Sequence, residues 1–113
     1  MDFRLIYSEK ALADLDAILG EIAADDPVAA SRFGTSLLDH IDLLMLFPQM
    51  GVAIPDRVRV RKLIHTPIVV YYIVNMHRRV VEIARLHHGA RLDPKHLQNA
   101  GAITRRLGWV FRG

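Results

Sequence analysis

The segment from Arg57 to Arg91 constrains the fold most, because it reads as three short strands in succession that end in a cluster of arginine and histidine. Over Val58–Leu63 the chain alternates Val58, Val60 and Lys62 with Arg57, Arg59, Arg61 and Leu63. An alternation of period two marks a strand whose two faces differ. Ile68–Val74 is β-branched or aromatic throughout, which suits a strand covered on both faces. Asn75-Met76-His77-Arg78 supplies a polar turn, and Val80–His87 returns as a third strand.

The preceding half is helical. Phe3–Tyr7 forms a first strand with Phe3, Leu5 and Tyr7 on one face. Ser8 then caps a helix whose stripe is Leu12, Leu15, Leu19 and Ile22, widened by Ala11 and Ile18, with Asp14, Asp16 and Glu21 off it. Asp26 and Pro27 start a second helix, proline tolerating the first helical position because its missing N–H has no partner to lose there. That helix is expected to run to about Leu46, with Ala30, Phe33, Leu37, Ile41 and Leu44 inward and His40 near them as a surface or packing residue. A loop through Ile54-Pro55 then leads into the sheet. The fold class is therefore α+β in the order β-α-α-β-β-β, a helical hairpin on one face of a mainly antiparallel sheet. Residues 1–91 form the domain, and 92–113 extend it as a helical or irregular segment through Asp93-Pro94, Leu97, Ala100, Ile103 and Leu107. Trp109, Val110 and Phe111 in that extension are expected to cover the open face of the sheet or meet a partner.

At 113 residues, half of them apolar, the chain suits one small domain with a modest core. No apolar run reaches the roughly 20 residues that span a bilayer, and no signal peptide stands at Met1. With no cysteine as well, a cytoplasmic protein without membrane contact is expected. Charge is divided unevenly. Residues 1–50 hold nine acids and three bases, a net of −6; residues 51–113 hold twelve bases and three acids, a net of +9. The basic half suits a polyanion or an acidic partner.

Glycine-rich phosphate loops, nucleophile elbows and zinc signatures are all missing from the sequence. His87 and His88 are adjacent on a strand and point to opposite faces, so they cannot jointly ligate a metal; no metal or cofactor is expected. The candidate target-binding residues are Arg59, Arg61, Lys62, Arg85, His87, His88, Arg91 and Trp109. Arginine binds phosphate bidentately and histidine moves protons near neutrality. Arg59, Arg61, Lys62, Arg85, His87 or His88, and Arg91 would thus suit RNA cleavage by the 2′-hydroxyl, and they suit docking on an anion or a protein equally well.

In FRLIYSEKALADLDAI, DPVAASRF, FPQMG, PIVVYYIV and VEIARLHHGAR, in that order over residues 3–93, the chain resembles the RelE/ParE superfamily of bacterial type II toxins. The resemblance implies a growth-inhibiting toxin silenced by a cognate antitoxin, with operator DNA bound only indirectly, through that antitoxin. His88, Gly89, Ala90 and Arg91 match the HGAR ending of the ParE-like branch, whose members inhibit DNA gyrase without cleavage chemistry. The RelE-like alternative is a metal-free endonuclease acting on mRNA in the ribosome, with His88 as proton carrier and Arg59, Arg61 and Arg85 on phosphate. The basic-plus-tyrosine arrangement of that branch is not matched here, since Tyr71 and Tyr72 lie within the second sheet strand, at least one of them in the core. A third reading is a relative that keeps antitoxin binding and has lost toxicity.

Overall fold

The computed structural model describes residues 2–89; Arg91, Trp109 and the expected extension over 92–113 lie outside the described residues. Strand β1 (Arg4–Tyr7) leads through Ser8 into helix α1 (Glu9–Asp25). Ser8 joins three elements at once. Its hydroxyl oxygen accepts from the Ala11 N–H at 3.0 Å, its O–H donates to the Ala84 carbonyl at 2.9 Å, and its own N–H donates to the Ile83 carbonyl at 2.9 Å. These bonds fix the rotation of α1 as well as its start.

That rotation differs from the expected stripe. Ala11 and Ile18 are the buried residues of α1, flanked by Leu15 and Ile22, while Leu12 is 48% exposed. Asp14 was expected off the stripe and instead faces the sheet, where it is hydrogen-bonded. Leucine count misleads here because the pinned Ser8 leaves room at the sheet for the small Ala11 rather than for Leu12.

Asp26 accepts from the N–H groups of Val28 and Ala29, both at 3.1 Å, and Pro27 opens helix α2 (Pro27–Asp42) as expected. Ala30, Leu37 and Ile41 are buried along it, with Phe33 packed beside them. Gly34 brings α2 against α1: a Cβ there would lie 3.3 Å from Leu19 Cδ1. The α-helix stops at Asp42 rather than Leu46, and Leu43–Met45 tightens into a 3-10 turn that still buries Leu44.

The sheet has five strands where four were expected. Short strand β2 (Val52–Ile54) precedes β3 (Arg57–His65), β4 (Ile68–Asn75) and β5 (Val80–His88), in the spatial order β1-β5-β4-β3-β2. β1 runs parallel to β5 and the other pairs are antiparallel. Three residues are too few to show a period, which is why β2 reads as loop; pairing of Val52 with Lys62 and Ala53 with Arg61 is what makes it a strand. In the β4–β5 turn, Asn75 Oδ1 accepts the Arg78 N–H at 2.9 Å.

Both helices cover one face of this sheet. The core joins Leu37, Ile41 and Leu44 to Leu63, Ile68, Val70, Tyr72, Val81, Ile83 and Leu86. Each such aliphatic side chain contributes about 1.5–3 kcal/mol by leaving water. Ile83 and Leu86 are three apart, a spacing that would send them to opposite faces of a regular strand. The register shift opposite Tyr71 and Tyr72 leaves Ala84 without a partner on β4, so both reach the core. No helix among the described residues is long and apolar enough to cross a membrane.

Candidate target-binding surface

The fold disperses the expected site residues. Arg61 is in register with the buried Tyr72, and its Nη1 donates to the carbonyls of Gly51 at 2.8 Å and Gln49 at 3.2 Å. Lys62 lies in register with Tyr71, and Tyr71 with Arg85 on the next strand. Arg85 is drawn to α1: its Nε donates to Asp14 Oδ2 at 2.8 Å and its Nη2 to Asp14 Oδ1 at 3.1 Å. The same Oδ2 accepts the Leu86 N–H at 2.9 Å, so Asp14 also supplies an acceptor to β5.

His87 meets the Tyr71 ring edge-on at a centroid distance of 5.9 Å. His88 sits on the other side, 3.9 Å from Glu21 of α1. The two histidines therefore diverge as their adjacency requires. His88 pairs with Ile68 and Arg61 with Tyr72, four residues apart along β4, or roughly 13 Å. The quartet Arg59, Arg61, Arg85 and His88 does not converge on one phosphate.

A different constellation does converge. A depression of about 820 Å³ at the opposite end of the sheet is lined by Arg4, Arg59, Arg61, His77 and Arg78, together with the apolar Ile6, Val58 and Ile73. Glu82 is the one acid among its described lining residues. Burial pushes the Glu82 carboxyl above its usual pKa, because the charged form loses hydration there. Clustered cations over low-dielectric walls concentrate anions. The rim residues Gln49 and Met76 are shared with an apolar patch of Phe47, Pro48 and Met50, in which Phe47 is 58% and Met76 57% exposed. Taken together, the surface fits a partner that is both acidic and apolar.

Sequence reasoning missed Glu82, His77, Arg4 and Arg78 because they come from β1, β5 and the β4–β5 turn, and only strand order makes them neighbours. A second group escaped it as well. Ser36 Oγ lies 3.3 Å from His65 Nε2, and His65 Nδ1 lies 2.9 Å from His40 Nδ1. Burial, and then the neighbouring His40, lower the His65 pKa. The order Ser-His-His has the connectivity of an activated nucleophile. Ser36 stands inside α2, however, where the backbone N–H groups are committed to the helix and offer no oxyanion donors.

Residues 5–93 match the family described as the ParE toxin of type II toxin–antitoxin systems, parDE. The chain belongs to this family. The toxin is 30% identical over 89 residues to "Toxin RelE2" of Caulobacter vibrioides, which covers 79% of this chain and 98% of that relative. Among solved structures it resembles a chain of the chromosomal ParDE system from P. aeruginosa, with a TM-score of 0.64 and 24% identity, over 76% of this chain and 95% of that one. It also resembles a chain of the RelBE2 toxin–antitoxin complex from Mycobacterium tuberculosis, with a TM-score of 0.55 and 16% identity, over 78% and 99% of the two chains. Those two likenesses establish the fold. In the toxin's HGAR ending, His88 and Gly89 are described. Gly89 donates its N–H to the Pro67 carbonyl at 2.7 Å and passes so close to Val69 that a Cβ would lie 2.5 Å from Val69 Cγ2. The glycine there meets a packing demand.

Proposed function

We propose that this toxin arrests growth in the cytoplasm by docking on DNA gyrase, and that a cognate antitoxin neutralises it. The observation that carries this reading is the pairing of Arg85 with Asp14. It withdraws a cation that phosphodiester cleavage at the end of β5 would need, while His88 stands apart beside Glu21. What remains exposed is a basic depression continuous with an apolar patch, the makeup of a protein-docking surface. A supercoiling assay with purified toxin tests it. Dose-dependent inhibition relieved by antitoxin is the expected result; full gyrase activity beside a folded, growth-arresting preparation overturns it.

One observation favours a second reading, cleavage of mRNA on the ribosome. Glu82, with its raised pKa, shares the arginine-lined depression with His77, which places a base and an acid near phosphate-binding groups. Glu82→Gln separates the readings. Loss of growth arrest and of mRNA cuts in cells would support cleavage, whereas unchanged arrest would leave the gyrase reading standing.

A further inference from the structure

His40 and His65 come from different elements, α2 and β3, and their Nδ1 atoms meet at 2.9 Å. We propose that this pair is a binding site for an imidazole-seeking divalent ion, with copper(II) or nickel(II) as the geometric fit, and that the ion staples α2 to β3. Two nitrogen ligands at about 2.0–2.1 Å that subtend a right angle lie about 2.9 Å apart, while a tetrahedral ion asks for about 3.4 Å. The observed spacing is that of cis ligands in a tetragonal site. Both rings are half-buried, and a small turn about Cβ–Cγ, a broad torsion, chiefly of His40, would aim the two lone pairs at a common ion in place of the hydrogen bond the rings now share.

The surroundings of His65 are those of a metal ligand. Its Nε2 faces Ser36 Oγ at 3.3 Å, so an Nε2–H donated to Ser36 leaves Nδ1 unprotonated and directed at His40. Phe33 packs edge-on against the ring at a centroid distance of 5.5 Å and limits its rotamers. No group of three or more His, Cys, Asp or Glu gathers among the described residues, so water completes the coordination. The site lies on α2 and β3, away from the Arg59 depression, and is independent of the gyrase reading.

Copper(II) chloride added to the chelator-treated full chain tests the proposal by calorimetry and electron paramagnetic resonance. The expected result is one tight equivalent whose spectrum shows coupling to two nitrogens, with at least tenfold weaker binding in His40→Gln and in His65→Gln. Bound copper should also raise the melting temperature of the wild type and leave those variants unmoved. Equal affinity and an unchanged spectrum in the folded variants would overturn it, leaving the pair a hydrogen bond only. Should the histidine variants fail to fold, Ser36→Ala decides: about a tenfold loss of affinity supports the site, and wild-type affinity overturns it.

Discussion

Asp14 holds Arg85 through both carboxylate oxygens, at 2.8 and 3.1 Å, across 71 positions of sequence. The pair is mostly shielded, with side-chain exposures of 17% and 20%. Because Asp14 also accepts the Leu86 N–H, it acts on β5 where β1 has ended. Asp14→Ala leaves a half-buried guanidinium and a strand N–H without their acceptor, and should lower stability by about 1–3 kcal/mol. Urea denaturation measures it. A change below half of the lower figure would mean that Arg85 is positioned by other contacts.

Gly51 and Tyr72 make a second tie. The Gly51 N–H donates to the Tyr72 hydroxyl at 2.9 Å, and both residues are buried. Tyr72→Phe removes the acceptor and should cost about 1–3 kcal/mol. Gly51→Ala should cost as much or more, since its Cβ would lie 2.5 Å from the backbone oxygen of Lys62, which cannot swing aside. Thermal melts of both variants check this, and an unshifted melting temperature in Gly51→Ala would show that the loop moves freely.

The toxin should lose stability in alkali. Burial, and then the nearby Asp42, push the Tyr7 pKa from 10.0 up to about 12. An unfolded tyrosine gives up its proton near pH 10, while folded Tyr7 keeps it. Between those values the unfolded state binds fewer protons, so stability is intact below pH 10 and falls as pH rises toward 12. Burial also raises the Tyr71 and Tyr72 pKa values, which steepens the fall. Tyr7→Phe should flatten the slope measured by urea midpoints from pH 9 upward; an identical slope would exclude Tyr7 as its source.

These features divide into those that local pattern encodes and those it does not. The caps at Ser8 and Asp26, the inward face of α2 and the β4–β5 turn follow from short-range chemistry, and the structure repeats them. The phase of α1 does not, because it is set by Ser8 binding carbonyls on a strand about 75 residues away. The expected site suffered from the same limit. Alternation correctly placed His87 and His88 on opposite faces, but a cation and a catalyst look alike in sequence until partners such as Asp14 are known. The Arg59 depression needs β1 beside β5, a parallel pairing that no nearby sequence encodes.

The depression makes the last prediction. Arg59 and Arg4 are exposed on its wall, so reversing either charge should leave the fold alone. Against an acidic partner surface, rim charges act mainly on association rate and its salt dependence. On the gyrase reading proposed above, Arg59→Glu should therefore raise the concentration needed for inhibition by about tenfold or more, with the melting temperature unchanged. Phe47→Ser should weaken inhibition because less apolar surface leaves water on docking rather than through charge, and its effect should persist at high salt while that of Arg59→Glu fades. Equal inhibition by wild type and Arg59→Glu at low salt would move the docking surface away from the depression.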